Sequence, residues 1–346
     1  MHGKREKKEL GGHPSGDTMT RYFIGVDLGG TNLRCAVVND ANQVVSRVET
    51  PTQAHEGPEA VMDRVAAGML KAVDTAGLEI SEIAAAGVGY PGPLDQRTGV
   101  VHSAPNMPGW RQVPLAEILT SRSGVATFIE NDANCAGWGE YVAGAGMGCR
   151  HMMMVTLGTG VGGAIVIDGR LHVGRDGSAG ELGHMCIVEG GRQCGCGARG
   201  CVEAYASATA VVKRFIEYLE QGWRSSLVRH REHLTCQAIF EAAQAGDSVA
   251  AKVVEETGRY LGVVAAGVAE LLNPEICVIS GGMAMAGEIF LNSIRNACLN
   301  RNMHPGGTMR IVTAGLGGNA GLIGAANNAA KRLVDRHVFA AVPENT

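Results

Sequence analysis

Apolar runs interrupted by glycine-rich turns predict two similar hairpins in this chain. The first runs through residues 22–26, a turn at 27–32 and an apolar stretch at 35–40. The second runs through residues 152–155, a turn at 156–160 and an apolar stretch at 164–169. Because both copies have the order strand, glycine turn, strand, they predict two related α/β units facing each other.

The same patterning predicts the elements around the hairpins. Residues 131 and 132 fall where a strand meets a helix, and Asp132 is predicted to be the helix N-cap. Helices are predicted over 59–76, 133–143, 207–219, 235–272 and 320–334, and further strands over 84–90, 126–130, 275–279 and 310–314. The predicted organisation is a disordered polar tail (1–20), a small α/β domain (21–131), a large α/β domain (132–318) and a C-terminal helix (319–337) packing back on the small domain.

Composition narrows the class of protein. The 346 residues are 45% apolar and 18% charged, as in globular proteins, and 50 glycines suggest turns that approach a ligand closely. A net charge of −4 with no basic stripe argues against a nucleic-acid partner. No apolar run approaches the ~20 residues of a membrane span, and no apolar signal segment follows the basic start. We therefore expect a cytoplasmic protein without membrane or nucleic-acid partners.

One cluster predicts a structural zinc site. His184, Cys194, Cys196 and Cys201 supply four ligands in a short glycine-rich stretch, as a closed tetrahedral site requires. The loop 184–201 would leave no open metal position, and one His184 nitrogen could bind zinc while the other faces a ligand. The remaining cysteines are predicted to be buried thiols in a reducing compartment: Cys35, Cys135, Cys149, Cys186, Cys236, Cys277 and Cys298.

The two glycine turns are candidate phosphate sites. Residues 158–163 satisfy G-x-G-x-x-G, but a strand follows them where a dinucleotide-binding fold needs a helix, so that interpretation fails. Two turns on opposed units could instead hold a polyphosphate between their N–H groups, with a carboxylate beside them for a divalent cation. The residues concerned are Asp27, Gly29, Gly30, Thr31 and Asn32 in the first turn and Gly158, Thr159 and Gly160 in the second.

From about residue 21 to 330 the motifs resemble the ROK sugar kinases, and within that family most closely the bacterial ATP-dependent glucokinases. The resemblance implies the actin-like ATPase (ribonuclease H-like) fold, with two related α/β domains around a deep cleft. It rests on Asp27-Leu28-Gly29-Gly30-Thr31, Glu130-Asn131-Asp132-Ala133-Asn134, Gly180-Glu181-Leu182-Gly183-His184, Cys194-x-Cys196 with Cys201-x-Glu203, and Gly281-Gly282.

The resemblance also implies an activity, ATP-dependent phosphorylation of the 6-hydroxyl of glucose with Asp132 as general base. Asp27 would hold Mg²⁺ through water, and Gly281 and Gly282 would lie by the adenosine. The implied sugar ligands are Asn106, Asn131, Asp132, Glu181, His184 and Glu203.

Several alternatives stay open. Kinases of N-acetylmannosamine, N-acetylglucosamine and fructose share these motifs, polyphosphate could replace ATP, and the expected homodimer could be a tetramer. A ROK repressor would need a DNA-binding domain, for which the stretch before Tyr22 is short, and a zinc-ribbon interaction module would need more basic residues than Arg192 and Arg199. Residues 317–321 lack an aspartate that is common in glucokinases. Its absence weakens the assignment to glucokinases but leaves the prediction of a sugar kinase unchanged.

Overall fold

The computed structural model describes residues 20–104, 107–301 and 309–340, except for the side chains of 229–232 and 336–340. In those residues no helix is long and apolar enough to cross a lipid bilayer. The strands are β1 (Tyr22–Leu28), β2 (Asn32–Asn39), β3 (Val44–Pro51), β4 (Ile83–Tyr90), β5 (Leu94–Asp95), β6 (Val100–Ser103), β7 (Arg111–Val113), β8 (Thr127–Asn131), β9 (Met152–Leu157), β10 (Val161–Ile167), β11 (Arg170–Leu171), β12 (Ile276–Ser280) and β13 (Arg310–Thr313). The α-helices are α1 (Pro58–Thr75), α2 (Leu115–Ser123), α3 (Asp132–Ala143), α4 (Glu203–Ala206), α5 (Ala208–Glu220), α6 (Cys236–Gln244), α7 (Ser248–Leu272), α8 (Glu288–Leu299) and α9 (Ala320–Ala340).

Two five-stranded sheets with the same topology form the frame of the molecule. Their strand orders are β3-β2-β1-β4-β8 and β11-β10-β9-β12-β13. In each sheet the first three strands in chain order pair antiparallel, and the last two run parallel to the first. The predicted pair of related α/β units is therefore confirmed. A small sheet of β5, β6 and β7 follows β4.

Helix α9 returns the chain to the first sheet. Its Leu322 and Ile323 are buried against Phe23 of β1 and Ala85 of β4. The approach is so close that a Cβ at Gly25 would fall onto the carbonyl oxygen of Leu322. The domain boundaries drawn from the sequence stay a prediction.

Some sequence expectations differ from the structure. The single helical stretch predicted over 235–272 is two helices, because Gly246 has a φ of 92° and the Asp247 side chain caps α7 through the N–H groups of Val249 and Ala250. Cys186, predicted to be buried, is exposed because it lies on a short surface bridge between residues 186 and 201. Helices α2 and α8 and strand β3 were not predicted.

A glycine substitution tests the packing of α9. We expect Gly25→Ala to lower the free energy of unfolding by about 1–3 kcal/mol, since the new methyl group overlaps the α9 backbone. In helix α7, Gly267→Ala meets only the Met185 methyl carbon at 3.6 Å, so it should be neutral or stabilising by up to about 1 kcal/mol. Denaturant titration compares the two; equal effects would contradict the packing argument.

Candidate active site

The carboxyl ends of the parallel strands bring the first site residues together. Asp27 of β1 lies beside Gly89 of β4, and Tyr90 at the end of β4 lies beside Asn131 at the end of β8. Open α/β sheets bind ligands at this edge. Helix α3 begins here, so Asp132 stands at the mouth of the cleft between the two sheets.

Asn131, and not Asp132 as expected, caps helix α3. The Asn131 side-chain oxygen accepts a hydrogen bond from the Asn134 N–H at 3.0 Å. Asp132 is the first helical residue, and its Oδ1 accepts the Ala133 N–H at 2.8 Å. The sequence places the cap one residue too late, because asparagine and aspartate are both good N-cap residues. With its oxygen occupied, Asn131 offers mainly its amide N–H groups to a ligand.

A cavity of about 600 Å³ collects most of the predicted sugar ligands. The loop 91–93 after β4 forms part of its wall. Trp110 is not part of the cavity lining, since it is buried against Tyr90 with ring centroids 5.4 Å apart. Asn106 lies outside the described residues. The predicted residues that line this cavity are Gly29, Gly30, Asn131, Asp132, Gly158, Thr159, Gly160, Glu181, His184 and Glu203.

A second cavity, of about 700 Å³, adjoins the first. It is lined by the predicted nucleotide residues Asp27, Gly281 and Gly282, and by Arg34, whose NH1 donates to Asp27 at 3.2 Å. The two cavities share Asp132, Ala133 and Thr156. Asp132 therefore has access to a ligand on either side.

The glycine turns offer fewer phosphate donors than the sequence suggested. The Gly29 N–H closes its own turn onto the Asn32 carbonyl at 2.9 Å, and the Gly158 N–H closes its turn onto the Gly160 carbonyl at 3.0 Å. Thr31 and Asn32 are exposed and line neither of the two cavities. Phosphate binding by either turn stays a prediction, and Gly29 and Gly158 cannot donate without opening their turns.

The cysteine and histidine cluster brings four potential metal ligands close together. In zinc sites with Zn–S of about 2.3 Å and Zn–N of about 2.0 Å, neighbouring ligand atoms lie about 3.5–3.8 Å apart. The Cys196 and Cys201 sulfurs are 3.7 Å apart, and the Cys194 sulfur is 3.7 Å from His184 Nδ1. All four ligand atoms lie within 4.8 Å of one another. The donor set and its spacing therefore fit zinc.

The cluster connects directly to the wall of the smaller cavity. His184 uses Nδ1 toward the cysteines, so its Nε2 points away, 4.0 Å from a Glu181 carboxylate oxygen. Glu203 accepts the Cys194 thiol at 3.5 Å with one oxygen and the Val161 N–H at 3.0 Å with the other. Because a zinc-bound Cys194 is a thiolate, its hydrogen bond to Glu203 would be lost on metal binding. A metal in the cluster would instead fix the His184 ring directly and Glu203 through the backbone, two residues after Cys201.

The electrostatic field in the cleft favours a proton on Asp132. Burial, with smaller contributions from the nearby charges of Asp27 and Glu181, raises the pKa of its carboxyl to about 6, although the hydrogen bond from the Ala133 N–H opposes the shift. Burial also raises the pKa of Asp27, although the Arg34 guanidinium opposes that shift. A carboxylate with a raised pKa in a cleft is a candidate general base that is ionised above pH about 6.

Two buried glutamates escaped sequence analysis. Glu130 accepts hydrogen bonds from Gln96, the Asn131 N–H, Asn134 and Asn328, and so fixes the start of α3. Glu140 is fully buried near the end of α3. The sequence assigns Glu130 no role beyond its place in a family motif. Glu140 is a single glutamate within a predicted helix, and no local pattern indicates that it is buried or bonded.

Glu140 ties α3 to the larger cavity. Its carboxylate accepts the N–H groups of Ala145, Gly315 and Leu316 at 2.8–2.9 Å. The loop that follows lines the larger cavity through Gly317 and Gly318. Three N–H donors satisfy this buried charge, so one carboxylate sets the position of the loop relative to the helix that carries Asp132.

A family model described as the ROK family matches residues 23–332. The chain belongs to the ROK family. The actin-like ATPase fold expected from the resemblance is thereby confirmed, in agreement with the duplicated sheets.

Known ROK proteins match nearly the whole chain. A glucokinase of Thermotoga maritima is 38% identical over 316 residues, covering 90% of this chain and 98% of the relative. A solved ROK family glucokinase from Streptomyces griseus, in complex with glucose and AMPPNP, is 35% identical with a TM-score of 0.76, covering 90% of this chain and 99% of that one. The Escherichia coli transcriptional regulator NagC is 31% identical over 291 residues, covering 82% of this chain and 69% of the regulator.

The raised pKa of Asp132 predicts a pH-dependent gain in stability for Asp132→Asn. The folded-state pKa of about 6 exceeds the ordinary 3.8, so the folded state binds more protons than the unfolded state between these two values. The free energy of unfolding therefore falls as pH rises from 3.8 to about 6 and is level above that. Asparagine avoids this charge, and we expect it to raise the free energy of unfolding by about 2–3 kcal/mol at pH about 8. The gain should fall to near zero at pH about 4. Unfolding titrations across this range measure it, and a pH-independent difference would contradict the assignment.

Glu140→Gln tests the link from α3 to the larger cavity. The new amide NH₂ would face backbone N–H donors, so the loop should shift and the KM for the nucleotide should rise about tenfold or more. The KM for the sugar should change little. Glu288→Gln, an exposed carboxylate on α8, is the matched control. Equal increases in both KM values would indicate general destabilisation instead.

Proposed function

We propose that this ROK protein is an ATP-dependent hexose kinase that phosphorylates the 6-hydroxyl of glucose, with Asp132 as the general base. The observation that carries the proposal is the meeting of two cavities at Asp132, one rich in hydroxyl-binding groups and the other bordered by Asp27, Arg34 and Gly281-Gly282. A phosphoryl acceptor and donor need this arrangement on the two sides of one base. Relatives described as glucokinases support glucose and ATP as the substrates.

The smaller cavity would take the sugar. Glu181 and Glu203 can each accept hydrogen bonds from hydroxyls, while the Asn131 amide and His184 Nε2 can donate. Several such groups around one cavity would fix the sugar so that only one hydroxyl reaches Asp132. Asn106, outside the described residues, remains a predicted contact.

The larger cavity would take the phosphates of ATP. Arg34 is placed to contact them, and Gly281 and Gly282 leave room for close approach. An adjoining apolar cavity of about 630 Å³, lined by Leu157, Phe240 and Met283 and bordered by Gly282, suits the adenine ring. Asp27 would hold Mg²⁺, which when bound neutralises charge on the phosphates.

The protein would contribute to the reaction mainly by positioning the sugar hydroxyl, the γ-phosphate and the Asp132 carboxylate relative to one another. Asp132, ionised above pH about 6, would accept the proton of the sugar hydroxyl as that oxygen attacks the γ-phosphorus in line with the leaving ADP. Its Oδ1 is already held by the Ala133 N–H, so the carboxylate is oriented before the substrate arrives.

Zinc would act as a structural support in this proposal. Four protein ligands leave no open coordination position, so the metal would take no direct part in phosphoryl transfer. Its effect would pass through Glu203 and the His184 ring into the wall of the sugar cavity. The homodimer and the cytoplasmic location stay predictions from the sequence.

A substrate panel tests the function. ADP release is measured with glucose, N-acetylmannosamine, N-acetylglucosamine and fructose, each with ATP or polyphosphate as donor. We expect the highest kcat/KM with glucose and ATP, and a loss of at least about 1,000-fold in kcat for Asp132→Asn with glucose binding retained. A tenfold preference for an N-acetyl sugar would overturn the choice of glucose, and near-normal turnover in Asp132→Asn would overturn the base.

Cys196→Ser tests the structural role of zinc. Losing one of four ligands should lower zinc content and the melting temperature together, and raise the KM for glucose because Glu203 loses its support. Cys149→Ser, at a buried cysteine outside the cluster that lines none of the three cavities, is the control. Zinc analysis, thermal melts and kinetics provide the readouts. A variant that loses zinc while keeping its KM would restrict the cluster to stability alone.

A further inference from the structure

Cys186 is an exposed thiol with no role in the proposed reaction. Other cysteines outside the zinc cluster, among the described residues, are buried or half-buried. Cys186 lies two residues after His184, at the edge of the metal-binding loop. Cys201, one of the predicted zinc ligands, pairs with it on the neighbouring segment and is the candidate disulfide partner.

Cys186 and Cys201 lie directly opposite each other on two antiparallel segments. The flanking hydrogen bonds run from the Ile187 N–H to the Gly200 carbonyl at 2.9 Å and from the Val202 N–H to the Met185 carbonyl at 3.0 Å. These bonds surround the pair without joining it, which defines a non-hydrogen-bonded pair. In such pairs both side chains point to one face and the Cα atoms are about 4.5 Å apart. That separation lies within the range that a disulfide spans.

Nothing bulky separates the two cysteines. The residue before Cys201 is Gly200, and the Cys186 sulfur lies so near it that a Cβ there would be 3.0 Å from the sulfur. Because the Cα separation typical of such a pair lies within disulfide range, a disulfide needs changes of side-chain rotamer and no large backbone movement. In its present rotamer the Cys201 sulfur faces Cys196 at 3.7 Å.

We infer that Cys186 and Cys201 form an oxidation-sensitive pair that closes a disulfide in the presence of a peroxide. The Cys186 sulfur attacks a peroxide oxygen, the O–O bond breaks, and Cys186 becomes a sulfenic acid as one water leaves. The Cys201 sulfur then attacks the Cys186 sulfur, the S–O bond breaks, and a second water leaves. Cys201 is a thiolate while it binds zinc, so it leaves the metal as it attacks, and the departing oxygen takes one proton from solvent. The two sulfurs lose two electrons in total, and these reduce hydrogen peroxide to two waters.

The disulfide would switch off the sugar site, a consequence that rests on the proposed function. Cys201 bonded to Cys186 is no longer a metal ligand, and three remaining ligands hold zinc less tightly. Glu203 follows Cys201 by two residues and contacts Cys194, so loosening the cluster would displace a wall of the sugar cavity. The chain would thereby become a kinase whose sugar affinity falls under peroxide stress and recovers on reduction.

The test treats the full-length, zinc-loaded protein with hydrogen peroxide. Peptide mass mapping identifies the disulfide, a chromogenic chelator follows zinc release, and the KM for glucose is measured before and after treatment. We expect a Cys186–Cys201 bond, zinc release and a raised KM, all reversed by dithiothreitol with added zinc. Cys186→Ser should keep zinc and activity before treatment and release zinc at least about tenfold more slowly than the unmodified chain. Cys149→Ser should behave like the unmodified chain.

Two results would overturn the inference. One is a map in which only Cys194, Cys196 and Cys201 bond with one another; the other is zinc release from Cys186→Ser at the unmodified rate. The disulfide map depends on neither zinc nor turnover. If the chain phosphorylated no sugar, the proposed function would fail, and if it bound no zinc, the proposed structural role of zinc would fail. In either case a mapped Cys186–Cys201 bond would still support the pair, and its absence would still overturn it.

Discussion

Helix α3 is packed so tightly between the two halves of the molecule that its position determines the rest of the site. A Cβ at Gly137 would overlap Ala164 of β10, and one at Gly139 would overlap the backbone of α9. The helix therefore packs closely on the second sheet and on α9, and it also contacts the first sheet at Gly89 of β4. Glu130 fixes its first turn and Glu140 its last. Since Asp132 is the first residue of this helix, the position of this proposed general base is fixed by backbone contact and buried carboxylates together.

Sequence periodicity was enough to predict the duplicated frame. The two hairpins and the parallel strands have apolar runs with clear breaks at glycine, and these patterns depend on local sequence alone. The cluster of one histidine and three cysteines could also be predicted, because its four residues lie close together along the chain. The sequence predicts helical structure over 235–272 without a break, because the break depends on a single glycine and one capping aspartate.

The site was harder to predict wherever a role depends on a distant partner. Glu140 bonds the backbone of residues about 175 positions away, and no local pattern marks such a contact. The N–H groups of Gly29 and Gly158 are closed within their own turns, which a glycine-rich motif cannot reveal. The cap of α3 fell on Asn131 because two adjacent residues could each serve, and the strand geometry decided between them.

The shared edge of the two cavities has a consequence for how substrate preference can change in evolution. Asp132, Ala133 and Thr156 border both cavities, whereas the loop 91–93 and residues Gly177 and Ala179 border only the smaller one. Substitutions in those outer walls can reshape the recognition of a ligand while the donor side and the base stay intact. A scaffold of this kind can acquire new ligands, or become a ligand-sensing protein, without first rebuilding its phosphoryl-transfer machinery.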